Sequence, residues 1–293
     1  MMIRSHKPGN LITAVSTPAG RGAIAIVRLS GENALQTAAH LFRKNADELQ
    51  RRYMYYGTLA AADGIRDAAM LVLFDGNSSY TGEEAAEIHC HGSPVITAAI
   101  LKRLCDEGAR IAERGEFTRR AYLNGKLDLT QAEGIIDLID SGSTAAAVAA
   151  YTQAEGALYR EINALAEQLT DAAAALGAAI DYPEEIEEDL PDLGLDAILA
   201  RLEKLQQSYT AGSAAVDGVR VTLFGKPNAG KSTLFNALLG YDRSIVTDIP
   251  GTTRDTVSES YEYKGIRFCL TDTAGIREAR DEPERQGILR SQK

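Results

Sequence analysis

The residues best placed for chemistry are Gly225-Lys-Pro-Asn-Ala-Gly-Lys-Ser232. Their spacing is G-x-x-x-x-G-K-[ST]. Glycines in such a loop let successive backbone N–H groups curl around phosphates, and a helix N-terminus adds positive potential. Lys231 can reach the β- and γ-phosphates, and Ser232 can bind Mg²⁺. The flanks agree. Val219–Phe224 reads as a buried parallel strand, and Thr233–Leu239 as a helix ended by Gly240. Strand, phosphate loop and helix together point to a nucleotide triphosphate site.

Two segments further on fit the same chemistry. Ile266-Arg-Phe-Cys-Leu-Thr271 reads as a strand that ends in Asp272-Thr-Ala-Gly275. An aspartate at that strand end is placed to hold Mg²⁺ through water, and the Gly275 N–H can meet a γ-phosphate. Between them, Gly251-Thr-Thr-Arg-Asp255 has the character of a switch loop that closes over Mg²⁺. Position 276 is where Ras-like enzymes carry a water-orienting glutamine. Here it is Ile276, which cannot orient water; Glu278, Asp281, Glu282 and Glu284 are the nearby carboxylates. No arginine finger is evident. A monovalent cation could neutralise charge instead, with Asn228 offering an oxygen ligand. No N-K-x-D motif for guanine follows, since Asn124-Gly-Lys-Leu-Asp128 has the wrong spacing and precedes the loop. Guanine specificity is therefore not legible, and the chain is expected to be a C-terminally truncated part of a longer protein.

These motifs need elements to hold them. A chain of 293 residues suggests about two domains. With 45% hydrophobic and 25% charged residues it can bury a real core. The net charge of −10 argues against a general nucleic-acid coat protein, so any nucleic-acid contact must be local or supplied by a partner. Cys90, Cys105 and Cys269 are few, scattered and odd in number, which suits a reducing cytoplasm. No secretory h-region and no membrane-length apolar run are present.

Leu11–Ser16 and Ala23–Leu29 read as strands around the glycine-rich Pro18-Ala-Gly-Arg-Gly22. A helix follows over about 32–42, then strands at Ala69–Phe74 and Ala85–Cys90. Pro94–Glu107 has helical spacing at Val95, Ala98, Ile100, Leu101 and Leu104. From Thr130 to Ile180 the pattern is almost wholly helical. An acidic run, 183–192, reads as a linker or helix start. A helix over about Leu195–Ala211 then leads to a boundary at Gly212–Gly218. In His89-Cys-His91, strand alternation would set Cys90 opposite the two histidines, which disfavours a shared metal.

With these motifs laid out, the chain resembles the MnmE (TrmE) family of tRNA-modification GTPases. The likeness rests on Thr17-Pro-Ala-Gly-Arg-Gly22, Arg28-Leu-Ser-Gly31, Tyr80-Thr-Gly-Glu83, His91-Gly-Ser-Pro94 and Arg114-Gly-Glu-Phe-Thr118. It rests equally on Ala121 to Glu133, Gly225 to Ser232, Ile245 to Asp255 and Asp272 to Glu278. The resemblance implies an α/β multidomain protein. Its parts would be an N-terminal α+β tetrahydrofolate-binding and dimerisation domain (1–118), a helical domain (119–215) and the front half of a P-loop GTPase domain (216–293).

It implies GTP hydrolysis coupled to wobble-uridine C5 modification of tRNA. The flavoprotein MnmG (GidA) would be the partner, with 5-formyltetrahydrofolate or a related folate as one-carbon donor. Arg28, Glu87 and Lys126 match the folate-contacting positions. Asn228, Thr247, Ile249 (through its carbonyl) and Thr252 match a K⁺ site, Ser232 and Thr253 the Mg²⁺ ligands, and Glu284 the catalytic, water-orienting glutamate. GTP would be held by Asn228, Ala229, Gly230, Lys231, Ser232, Thr233, Thr247, Asp248, Ile249, Pro250, Gly251, Thr252, Thr253, Asp272, Thr273, Ala274 and Gly275. The resemblance places the protein as a homodimer in the cytoplasm, away from membranes. Two other readings stay open: a GTP-switched ribosome-assembly protein, or a folate-binding module with an inactive GTPase region.

Overall fold

The computed structural model describes residues 10–181, 193–224, 230, 233–234, 237 and 258–272. They fall into two compact units, divided between Ala132 and Glu133. The architecture is mixed α/β in both sheet-bearing parts, with a helical stretch between.

The first unit is built on one six-stranded sheet. Its strands are β1 (Ile12–Val15), β2 (Ile24–Ser30), β3 (Tyr55–Ala60), β4 (Arg66–Phe74), β5 (Ala85–His91) and β6 (Arg110–Ile111), in the order β3-β4-β5-β2-β1-β6. Every pairing is antiparallel except β1 with β6. Alternation sorts the side chains. Ala25, Val27 and Leu29 of β2, Leu71 and Leu73 of β4, and Ile88 and Cys90 of β5 enter the core. Helices α1 (Ala34–Leu41) and α2 (Pro94–Asp106) cover that face, with Leu35, Leu41, Ile100 and Leu104 buried against it. Each such side chain contributes about 2 kcal/mol of apolar burial, so this face holds the unit together.

Arg28, Glu87 and His89 lie on the other face. Helix α3 (Glu116–Leu123) follows β6, and α4 (Leu129–Ile139) begins just after it. Two glycines are demanded by close approach: a Cβ on Gly92 would stand 2.6 Å from the Gly22 carbonyl oxygen, and one on Gly31 2.5 Å from that of Asn10.

The second unit holds most of α4, then α5 (Thr144–Ala154), α6 (Ala157–Asp181) and α7 (Leu195–Asp217). Gly134 of α4 packs on α5, where a Cβ would lie 2.7 Å from the Ala154 amide nitrogen. A three-stranded sheet follows: β7 (Val219–Leu223), β8 (Ser258–Tyr263) and β9 (Ile266–Asp272), in the order β7-β9-β8. β7 runs parallel to β9, and β8 is antiparallel to it. Lys264 and Gly265 close the β8–β9 hairpin, both at positive φ, as a two-residue primed turn requires. Tyr261 stacks on its cross-strand partner Phe268 at 5.2 Å. The hairpin turn seats on the start of α5: the Ala145 amide donates to the Gly265 carbonyl at 3.0 Å, and the Thr144 hydroxyl to Glu262 at 2.9 Å. An acidic side chain at a helix N-terminus is favourable, and Ser143 caps the same end.

Several expectations need correction. Helix α7 does not stop at Ala211 but runs on to Asp217, so 212–218 is not a break in itself. One glycine costs a helix only about 1 kcal/mol, and Ser213 to Val216 resume helix-compatible residues. The stop is Gly218, at φ 79. Val95 is 66% exposed, because the buried stripe of α2 is Ala99, Ile100 and Leu104. β7 is parallel as expected but only partly covered, with Val219 37% exposed; Leu270 of β9 is fully buried. Strands β3, β6 and β8 and helix α3 have no counterpart among the expected elements. No helix among the described residues is long and apolar enough to cross a membrane.

Candidate functional site

The site begins with a register. β2 and β5 pair so that Arg28 faces Glu87 directly. The Arg28 Nε and Nη2 groups donate to Glu87 Oε1 at 3.0 and 2.7 Å. Both side chains are part-buried, at 30% and 20% exposure, so the pair is screened less than a surface one. Glu87 Oε2 lies 3.4 Å from His89 Nε2. One carboxylate oxygen is thus held by the guanidinium, while the second keeps acceptor capacity.

A cavity of about 120 Å³ opens beside this pair, lined by Arg28, Phe74, Ser78, Tyr80, Thr81, Ala85, Glu87 and Phe117. The rings of Tyr80 and Phe117 have their centroids 5.7 and 5.9 Å from the Arg28 guanidinium carbon, within cation–π range. A charged pair beside aromatic rings suits a flat heterocycle that both stacks and hydrogen-bonds. The volume fits a ring-sized fragment, so the rest of a larger ligand would lie outside it.

Phe117 is delivered by α3, which a buried charge network holds in place. Arg120 is fully buried and donates to Glu116 through Nε and Nη2 and to Glu83 through Nη1, the last at 2.7 Å. Arg110 makes two hydrogen bonds to Glu116, and the Glu113 amide a third at 2.8 Å. Burial alone would push the Glu116 carboxyl up. The donors from Arg110, Glu113 and Arg120 outweigh it and bring the pKa down to about 2. Glu83 also accepts from Ser30, whose hydroxyl shares a 2.6 Å hydrogen bond with Thr81.

The structure brings two of the three expected folate residues together, Arg28 and Glu87. Lys126 is elsewhere: its ammonium donates to the Asn77 carbonyl at 3.0 Å, next to Ser78 on the rim, and does not line the cavity. Sequence reasoning missed Tyr80 and Phe117 as site residues. Their signal was present, since both sit in segments that carry the family likeness, but nothing local assigned them a role. Cys90 faces the core and donates to the Ala25 carbonyl, away from His89, as alternation requires. Burial, helped by the charge of Asp67, pushes its thiol up to about 11. Asp67 instead binds His91, through its Nδ1 at 2.6 Å and its amide at 2.9 Å.

Asn228, Ala229, Lys231, Ser232, Thr247, Asp248, Ile249, Pro250, Gly251, Thr252, Thr253, Thr273, Ala274, Gly275 and Glu284 lie outside the described residues. Gly230 has φ 81, Thr233 is helical and exposed, and the Leu234 amide donates to the Gly230 carbonyl at 2.9 Å. That bond has the i to i−4 spacing of an α-helical turn. Leu223, at the end of β7, pairs in register with Asp272 at the end of β9. The strand that leads into the loop and the aspartate therefore finish side by side, the arrangement a phosphate-and-Mg²⁺ site needs.

A charged, aromatic-walled cavity on a mixed sheet, then helices, then a parallel strand pair whose first strand precedes a phosphate-loop sequence, defines an α/β multidomain protein. Family comparison is more specific. Residues 11–126 match the model described as the GTP-binding protein TrmE N-terminus, and residues 129–289 match the MnmE helical domain. The chain is 45% identical over 285 residues to a tRNA modification GTPase MnmE of Thermus thermophilus, covering 96% of this chain and 66% of that protein. It is 41% identical over 288 residues to the protein of that name from Clostridioides difficile, covering 96% and 63%. For an Acinetobacter baumannii relative the figures are 45%, 96% and 62%. The chain belongs to the MnmE (TrmE) family. It spans less than two thirds of the length of these relatives.

Proposed function

We propose that the chain is part of a GTP-hydrolysing enzyme of tRNA wobble-uridine C5 modification, and that its first unit binds a reduced folate as the one-carbon donor. The observation that carries the folate reading is the Arg28–Glu87 pair inside the cavity walled by Tyr80 and Phe117. A pterin ring presents N–H donors and a flat face. Glu87 can accept from the donors, the rings can stack, and Arg28 can hold an anionic group. Lys126 would reach the ligand from the rim, by leaving Asn77.

In the nucleotide region, the phosphate loop binds GTP through Asn228 to Thr233, the switch residues Thr247 to Thr253, and Asp272 to Gly275. Ser232 and Thr253 hold Mg²⁺. Asn228, Thr247, Ile249 and Thr252 hold K⁺, which would supply the positive charge an arginine finger gives elsewhere. Glu284 orients the attacking water. The division into 1–118, 119–215 and 216–293 assigns folate binding, support and GTP hydrolysis respectively. A homodimer working with the flavoprotein MnmG on tRNA in the cytoplasm completes the reading. The nucleotide part is tested by GTP hydrolysis in K⁺ and in Na⁺, using the protein extended to the length of its relatives. Faster turnover in K⁺, lost in Asn228→Ala, supports it; equal turnover in both salts removes the K⁺ assignment.

A further inference from the structure

Helix α3 serves the cavity from two adjacent positions. Phe117 is one of its walls. Thr118 is not, yet its hydroxyl shares a 3.0 Å hydrogen bond with the hydroxyl of Tyr80, the other aromatic wall. Both rings stand against the same Arg28 guanidinium. Three further links join the same two segments. Asn124 Nδ2 donates to the Thr81 carbonyl at 2.7 Å, Arg120 donates to Glu83 at 2.7 Å, and Lys126 to the Asn77 carbonyl at 3.0 Å. The segment 77–83 is thus strapped along its length to residues 118–126.

These links differ in what they hold. Arg120 and Glu116 are fully buried, so their bonds keep the fold itself. The Tyr80–Thr118 bond joins two side chains on the exposed side, and no backbone group depends on it. Losing it costs the fold little, but leaves the Tyr80 ring free to turn away from Arg28. We infer that Thr118 is a positioning residue of the cavity: it fixes the Tyr80 ring against Arg28 and thereby sets affinity for a flat, nitrogen-rich heterocycle without touching it. The inference rests on the folate reading above.

The test is binding of 5-formyltetrahydrofolate to the 293-residue chain by titration calorimetry, with a thermal melt of each variant. Thr118→Val keeps the branched shape and removes the hydroxyl; Thr118→Ser keeps the hydroxyl. Thr118→Val is expected to weaken binding roughly threefold to tenfold, with Tm within about 2 °C of the parent. Thr118→Ser should bind like the parent. Tyr80→Phe should show the same loss as Thr118→Val, and the double variant no more than either, because both remove one bond. Unchanged affinity in Thr118→Val, additive losses, or failure of Thr118→Ser to restore binding overturns the inference while leaving the folate reading standing. A parent chain that does not bind folate overturns both.

Discussion

Arg28 and Glu87 are 59 residues apart in sequence and stand directly opposite each other on β2 and β5, guanidinium to carboxylate at 2.7 Å. The pair is gripped on its arginine side by two aromatic rings and, among the described residues, shares its second carboxylate oxygen with His89. A charge pair made only for stability would gain little from such surroundings, since a part-buried ion pair roughly breaks even against desolvation. Beside a cavity, the same arrangement presents an acceptor, a cation and two flat faces at once.

Arg28→Lys separates charge from shape. Lysine keeps the cation but loses the planar fork and most of the stacking on Tyr80 and Phe117. Folate affinity should fall about tenfold, with the melting temperature little changed. Calorimetry of the variant beside the parent checks this. Full retention of affinity would mean that charge alone matters at this position.

Glu116 gives a pH prediction. Its pKa lies below the ordinary value of 4.5, at about 2. A depressed carboxylate stabilises the fold fully above its unfolded pKa and loses that contribution as pH falls through the folded one. Stability should therefore decline from about pH 4.5 down to about pH 2. Glu116→Gln should flatten that limb in urea melts taken across the range. It should also cost about 3 kcal/mol at pH 7, because Arg120 is then left buried with one partner fewer.

Gly134 tests the helical packing. A Cβ there would meet the backbone of α5, 2.7 Å from the Ala154 amide nitrogen and 3.1 Å from the Ala150 carbonyl oxygen. Backbone cannot step aside as a flexible side chain can. Gly134→Ala should destabilise the second unit by about 2 kcal/mol by overpacking, despite alanine's better helix propensity. Thermal melting by circular dichroism reads the effect. Stabilisation would show that α4 and α5 can separate at no cost.

What the residues revealed follows their physics. β1, β2 and β5 were legible to within about a residue because each is a short run rich in apolar residues, and β2 and β5 alternate between buried and part-buried positions through their middles. β3 was hidden by Gly57 and by the exposed Tyr56. β8 was hidden by its sequence Ser-Glu-Ser-Tyr-Glu-Tyr, which reads as polar throughout. Helix α3 buries Glu116 and Arg120 where an amphipathic helix would bury leucines, with the small Ala121 beside them, so its inner face carries a weak apolar signal. The site divides in the same way. The phosphate loop is local in sequence and declares itself by spacing. The folate residues came only from the family likeness, since no single-sequence rule fixes the register that brings residue 28 to residue 87. Lys126 likewise matched by position alone, and its ammonium donates to the Asn77 carbonyl beside the cavity rim.

The most direct test of the central reading is calorimetric titration of the 293-residue chain with 5-formyltetrahydrofolate, repeated with Glu87→Ala. The expected result is one saturable site per chain in the parent, with affinity at least about tenfold weaker in the variant, in line with loss of a charge-assisted hydrogen bond. No binding by the parent, or equal binding by Glu87→Ala, would contradict a folate site at Arg28 and Glu87.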